Sequence, residues 1–112
     1  MIVRSAILEG TVAPDRRAAF DAHMADVVLP AIAAYPGLRK VALRTPVESD
    51  GDAPAIHVVF DLYFDDLAAM HAALASPVRQ QVRTVIAAGM GDFKGKVYHV
   101  VYDEGRTLAG KA

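Results

Sequence analysis

Three titratable side chains on one predicted strand could carry out acid–base chemistry. His57, Asp61 and Tyr63 lie in the apolar stretch 55–64, and side chains two apart on a strand point to the same side of the sheet. A histidine, a carboxylate and a phenol in one cavity could abstract a proton next to a carbonyl group and bind its oxygen. We predict that these three residues are catalytic. The structural alternative is an ion pair of Asp61 with Arg4 of the first strand, which would fix the register.

His23 is a fourth predicted catalytic residue. It follows Phe20 by three positions in a predicted helix, at the edge of the apolar stripe. Its charge changes near neutral pH, so it could act as a base or hold a substrate oxygen. The alternative is a histidine that bonds to the backbone. Side chains predicted to line the substrate pocket are Arg4, Phe20, Tyr98 and His99. Alternation puts Tyr98 and His99 on opposite faces of the last strand, and either face could line the pocket.

Composition excludes several kinds of site. The chain has no cysteine, which excludes disulfides and thiolate ligands. Its four histidines lie far apart without metal-ligand spacing. The formal net charge is −1, with scattered basic residues, which argues against a nucleic-acid partner. No apolar run approaches the ~18 residues of a membrane span. We therefore expect no metal, no resident cofactor, no nucleic acid and no membrane contact, and a cytoplasmic protein.

The elements that must position these residues follow the order β-α-β-β-α-β. Strands are predicted at 2–8, 38–45, 55–64 and 96–102, with helical regions at 15–35 and from 67 to about 86. Pro30 should kink or divide the first helix. Asp65 or Asp66 should cap the second region, and Ser76 followed by Pro77 should start a fresh helix with the serine as N-cap. The 112 residues predict one domain over 1–104 and a flexible tail over 105–112.

This order predicts an α+β, ferredoxin-like fold, with a four-stranded antiparallel sheet that carries both helices on one face. Ile56, Val58, Phe60, Leu62 and Phe64 should form the ridge beneath the helices. The open face would hold Val59 and Tyr63, together with apolar residues among Ala6, Leu8, Val41, Leu43, Val97 and Val101. Exposing about six such side chains, at ~1.5–3 kcal/mol each, would forfeit much of a domain's ~5–15 kcal/mol stability. A second copy is the expected cover, in a homodimer that closes a barrel around a central cavity; the alternative is a monomer with an exposed apolar face.

Short motifs resemble those of the EthD-like family of dimeric α+β barrel proteins. They are Phe20-Asp21-Ala22-His23-Met24 in the first helix, Pro36-Gly37-Leu38-Arg39-Lys40-Val41 entering the second strand, and Ser76-Pro77. The resemblance covers most of the chain. One departure is that many EthD-like sequences have a proline one or two residues after the helix histidine, whereas here the next proline is Pro30.

The resemblance implies one of two kinds of function. The first is a small enzyme, an EthD-type oxidoreductase or a cofactor-free monooxygenase or cyclase, that acts on a hydrophobic, oxygen-bearing small molecule. The second is a non-catalytic dimer that binds a metabolite or assists a partner enzyme. Haem enters only through analogy with the wider superfamily, with His23 or His99 as its ligand. Turnover that is lost in histidine variants would separate the enzyme from the binding protein.

Overall fold

A computed structural model describes all 112 residues and confirms the ferredoxin-like α+β fold. The first half contains β1 (Ile2–Val12), α1 (Arg17–His23), a π-helical turn (Met24–Val28), α2 (Leu29–Ala33) and β2 (Leu38–Arg44). The second half contains β3 (Ile56–Phe64), α3 (Leu67–Leu74), α4 (Val78–Gly89), a 3₁₀ turn (Met90–Asp92) and β4 (Phe93–Asp103). Residues 104–112 form no helix or strand.

The four strands form one antiparallel sheet in the order β2-β3-β1-β4. Alternation along β1 is visible in its pairing, because Ala6 lies opposite the buried Phe60 and Ser5 lies opposite Asp61. Arg4, Ala6 and Leu8 therefore face the helices, whereas Val3, Ser5 and Ile7 face the helix-free side of the sheet. Through the pairing of β1 with β4, His99 falls on the helix side and Tyr98 on the helix-free side.

The predicted composition of the two faces is partly wrong. Val58, Phe60, Leu62 and Phe64 are buried beneath the helices as predicted, but Ile56 lies on the helix-free side among residues such as Val59. Val59 and Tyr63 lie on the open face as predicted. The other six residues assigned to that face lie on the helix side instead: Ala6, Leu8, Val41 and Leu43 pack with the core, and Val97 and Val101 lie opposite Leu8 and Arg4. The strands were predicted correctly, but which face each of these side chains points to was not. A shift of one residue exchanges the two faces of a strand.

The first helical segment accommodates Pro30 through a π-helical turn. Proline has no amide hydrogen to donate to the carbonyl four residues earlier. The chain widens to the i→i+5 pattern just before it, and the Leu29 amide donates to the Met24 carbonyl. The helix is thus divided, as expected, into α1, a π-helical turn and α2. Its buried side chains are Phe20, Met24, Val28 and Ile32, which lie on the core.

The second helical region begins as predicted and restarts differently. The Asp66 carboxylate accepts a hydrogen bond of 2.8 Å from the Ala69 amide, so Asp66 is the N-cap of α3. A new helix does follow Ser76, but Ser76 is not its N-cap. The Ser76 hydroxyl donates to the Ala73 carbonyl at 2.6 Å, and Pro77 occupies the cap position of α4. None of these helices combines the length and the apolar character needed to cross a membrane.

Candidate functional site

An apolar cavity of about 330 Å³ lies between the sheet and the helices. Its floor is the helix side of β1, β3 and β4, and its roof is formed largely by α4. Twelve of its sixteen lining residues are hydrophobic. The other four are Arg4, Arg79, Arg83 and His99, and Tyr35 adds a hydroxyl group. An apolar pocket with a few polar groups is the usual form of a small-molecule site.

His99 is the histidine at this cavity. It lies on edge strand β4, opposite Ala6 of β1, and is itself exposed to solvent where it lines the cavity. Desolvation lowers the pKa of His99 below its ordinary value, and the positive charges of Arg4 and Arg79 lower it further. Its imidazole is therefore neutral at pH 7 and has a free lone pair with which it could accept a proton.

Two half-buried guanidinium groups face the same space. Arg4 comes from β1 and Arg79 from the first turn of α4. Desolvation lowers the pKa of Arg4, the charge of Arg79 lowers it further, and Tyr35 acts in the opposite direction. Neither arginine forms a salt bridge with a carboxylate, and no acidic residue lines the cavity. The cavity thus has a mainly apolar lining and a positive charge.

Asp61 lies on the opposite, helix-free side of the sheet. Its carboxylate is 4% exposed, accepts a hydrogen bond of 2.5 Å from Ser5, and lies 2.6 Å from the Arg44 guanidinium. The predicted pairing of Asp61 with Arg4 is wrong, because Arg4 points to the helices and Arg44 of β2 supplies the positive charge. Both Asp61 oxygens are engaged, which favours a structural role for this carboxylate.

A β-bulge separates His57 from Asp61 and Tyr63. Leu8 pairs with Val58 but Glu9 pairs with Ile56, so His57 is the extra residue and its side chain turns to the helix side. There it lies 2.7 Å from the Asp21 carboxylate and packs edge-on against Phe20. The prediction that His57, Asp61 and Tyr63 share one wall is therefore wrong. Tyr63 does lie on the helix-free side, where the Lys40 Nζ atom is 4.4 Å from the centre of its ring.

His23 lies where α1 meets α4. Its Nε2 is 2.6 Å from the Val85 carbonyl oxygen, and its ring packs against Gly89. Since a carbonyl only accepts, Nε2 carries the hydrogen and donates it. This arrangement matches the alternative of a histidine that bonds to the backbone.

The predicted pocket residues are divided between three places. Arg4 and His99 line the cavity. Phe20 is buried in the core, stacked on Phe93. Tyr98 is on the helix-free side, where its hydroxyl donates to Glu9 at 3.1 Å; desolvation and this hydrogen bond raise the pKa of Tyr98.

Sequence reasoning overlooked three residues with polar groups at the cavity, Tyr35, Arg79 and Arg83. Arg79 follows Val78 in α4, and its direction depends on how α4 lies across the sheet. Tyr35 precedes the Pro36-Gly37 turn, where it reads as the last residue of a helix. A positive residue one position from an apolar stripe was the available signal, but most such residues extend into solvent.

The side chains present do not suit a metal or haem iron. No three histidine, aspartate or glutamate side chains come together at a distance that could hold a metal ion. The Nε2 atom of His23 is occupied by the Val85 carbonyl. His99 lies near two guanidinium groups, which would repel a metal cation.

The fold is similar to that of several solved structures. One is an EthD family protein from Bacillus halodurans, 21% identical, with a TM-score of 0.73 over 93% of this chain and 99% of that one. A second is a mutant of SnoaB, a cofactor-independent oxygenase from Streptomyces nogalater, 20% identical, with a TM-score of 0.65 over 97% of both chains. A third is a dimeric protein of unknown function with a ferredoxin-like fold from Bacteroides fragilis, 12% identical, with a TM-score of 0.63 over 91% of this chain and 94% of that one.

The sequence matches no protein-family model, and no curated protein matches it. At these identities the structural likeness establishes the fold. The fold is the one expected from the EthD-like resemblance and is shared with oxygenases and with dimeric proteins.

Proposed function

We propose that the protein is a small enzyme that removes a proton next to a carbonyl group of a hydrophobic, oxygen-bearing substrate bound in the helix-side cavity. The observation that carries this proposal is the position of His99 beside Arg4 and Arg79 in an apolar cavity. A neutral imidazole supplies the base, and adjacent positive charge supplies stabilisation for the anion that forms. This assignment moves the chemistry from His23, His57, Asp61 and Tyr63, whose polar atoms are engaged elsewhere or face the other side.

The proposed step is balanced without a cofactor. A C–H bond next to the carbonyl breaks, its proton moves to a ring nitrogen of His99, and the electron pair moves onto the carbonyl oxygen as an enolate. The positive charges of Arg4 and Arg79 at the same cavity stabilise the developing negative charge. Return of the proton to a different carbon gives an isomerase-type reaction. Attack of the enolate carbon on a second carbonyl group of the substrate, whose oxygen then takes the proton from His99, gives a cyclase-type reaction. Addition of the enolate carbon to dioxygen, which is then the oxidant, gives a peroxide that takes the proton from His99. Where that carbon keeps a hydrogen, loss of water from the hydroperoxide leaves one oxygen atom as a new carbonyl group, which is a monooxygenase-type reaction. An oxygenase of similar fold is likewise cofactor-independent.

Hydrogen–deuterium exchange tests this step directly. In D₂O at pH 7, proton NMR would follow loss of the enolisable hydrogens of two ketones, 2-tetralone and 4-oxo-4-phenylbutanoate, while an electrode records oxygen uptake. We expect the wild type to accelerate exchange of at least one ketone. His99→Gln should lower that rate by about 100-fold or more, the usual contribution of a general base. His71→Gln, on the exposed face of α3, is the matched control and should leave the rate unchanged.

The contrary result favours the second candidate function. If a ketone binds in the cavity but the wild type accelerates neither exchange nor oxygen uptake, the protein is a binding module. The specific observation that supports this candidate is the engagement of His23 and His57 in structural contacts, which leaves His99 as the one histidine facing the cavity.

We also propose that two copies associate through the helix-free side of the sheet. Ile7, Val59, Tyr63 and Val100 are only partly buried there, and Tyr102 is 51% exposed. No helix of the chain covers these side chains. A fold relative is a dimer, and a second sheet would remove the apolar surface from water.

A further inference from the structure

We infer that the ligand of the helix-side cavity carries a carboxylate on an apolar body, and that Arg4 and Arg79 hold the carboxylate. This inference rests on the proposed function, since it concerns the same cavity, and it specifies the class of molecule bound there.

The first argument is the absence of a protein counter-charge. Three arginines nearer the surface have carboxylate partners: Arg16 with Asp92, Arg39 with Asp65, and Arg44 with Asp61. Arg4 and Arg79 are more buried, where an unpaired charge is costlier, yet neither has a carboxylate partner or a side-chain hydrogen bond within the chain. A bound anion would supply the missing charge.

The second argument is mutual repulsion. The charge of Arg79 lowers the pKa of Arg4, so the two guanidinium groups are close enough to interact unfavourably. Two positive charges at one cavity repel each other and destabilise the folded protein, and a negative group between them would relieve this repulsion. The Tyr35 side chain is buried and lines the same space, and its hydroxyl has no partner in the chain. It is placed to donate a further hydrogen bond to an anion.

The third argument concerns the shape and size of the ligand. The guanidinium fork matches a planar carboxylate. The other lining residues are mainly aliphatic or aromatic, including Leu8, Phe60, Leu62 and Val82. A dry cavity of about 150 Å³ binds benzene, so the 330 Å³ here fits an apolar body of roughly twice that size.

Calorimetric titration with two probes of equal chain length separates charge from apolar contact. Octanoate carries the carboxylate and octan-1-ol does not. In wild-type protein at pH 7.5 we expect octanoate to bind at least about ten-fold more tightly, as one charge-assisted hydrogen bond contributes. Arg4→Met and Arg79→Met keep a long apolar side chain and should each weaken octanoate about ten-fold without weakening octanol. Arg17→Met, at an exposed position of α1, should change neither.

Three outcomes would overturn the inference, and they differ in what else they overturn. Equal affinity for octanoate and octanol would exclude the carboxylate clamp but leave an apolar cavity available to the proposed enzyme. Binding of neither probe would exclude both the carboxylate clamp and an apolar ligand cavity. Tighter binding of octyl phosphate than of octanoate would replace the carboxylate by a phosphate. Chemical-shift changes at His99 and Val82 during each titration confirm that the probe is in the cavity, and circular dichroism shows that each variant is folded.

Discussion

At the scale of single residues, the electrostatic environment of His99 decides what chemistry the cavity can support. Desolvation and the charges of Arg4 and Arg79 act in the same direction, against protonation. The unfolded chain therefore binds a proton more readily than the folded chain just below the ordinary histidine pKa of about 6.5. The penalty that His99 imposes on folding is present at acidic pH and disappears as the pH rises through that value.

Removal of a neighbouring charge should shift this titration. We expect Arg4→Met to raise the pKa of His99 toward its ordinary value, because one of the two repelling cations is gone. The measurement is an NMR titration of the His99 ring protons between pH 4 and pH 9 in wild type and variant. Arg17→Met is the control, since Arg17 does not contribute to the pKa of His99. An unchanged or lower His99 pKa in Arg4→Met would show that Arg4 does not act on this histidine.

The sequence led to two residues of the cavity, although not to the cavity itself. Arg4 was selected because the first and third strands are adjacent, and His99 because either face of the last strand could line a pocket; both lie on the helix side of the sheet. The side of the sheet was not predictable, since His99 and Tyr98 are adjacent and alternation alone does not tell which faces the helices. Arg79 was overlooked because its position depends on the angle at which α4 crosses the sheet.

At the scale of elements, local irregularities moved two predicted features. Pro30 was visible in the sequence, and division of its helix followed from the missing amide. The bulge at His57 was not visible, because it arises from the pairing of Glu9 with Ile56, residues far apart in the chain. Next to the bulge, the Gly10 amide donates a hydrogen bond of 2.8 Å to the Ala55 carbonyl oxygen. The extra residue in β3 turns the His57 side chain to the helix side, away from Asp61 and Tyr63, with which it was predicted to share a wall.

The contact between α1 and α4 requires a glycine. A Cβ atom at Gly89 would lie 2.9 Å from Nε2 of His23 and 3.1 Å from its Cγ. We expect Gly89→Ala to lower the free energy of unfolding by about 1–3 kcal/mol, the usual cost of overpacking, despite the better helix propensity of alanine. Urea denaturation measures the change.

The control for this contact is Gly91→Ala, because a Cβ atom at Gly91 would meet nothing within 4 Å. It should change the stability by less than about 0.5 kcal/mol, as is usual for surface positions. In the double variant His23→Ala/Gly89→Ala the clash is absent, so the two effects should not add. Strict additivity would show that His23 and Gly89 do not interact.

At the scale of the whole molecule, the sheet separates a closed side from an open one. The helix side holds the buried core and the cavity. The helix-free side holds Asp61 with its partners Ser5 and Arg44, together with partly exposed apolar residues. We expect light scattering coupled to size-exclusion chromatography to give about twice the chain mass of 11.9 kDa. Ile7→Arg should give a monomer, because it places a charge in the middle of the proposed interface.

Val47→Arg is the matched control for Ile7→Arg. Val47 is 99% exposed in the connection between β2 and β3, so the same change of residue type there should leave a dimer. A wild-type protein that stays monomeric at 100 μM would exclude association through the sheet. The ligand cavity would be unaffected by that result, because it lies on the helix side of the sheet, away from the proposed interface.

The alternation along β1 has a practical consequence for engineering. Its even-numbered residues Arg4, Ala6 and Leu8 line the cavity, and its odd-numbered residues Val3, Ser5 and Ile7 belong to the opposite side. On the proposed cavity and the proposed interface, we expect a mutant library restricted to the even positions to vary ligand selectivity and leave assembly intact, and a library of the odd positions to do the reverse. Under these two proposals, the 11 residues of β1 would carry two traits that selection can adjust separately.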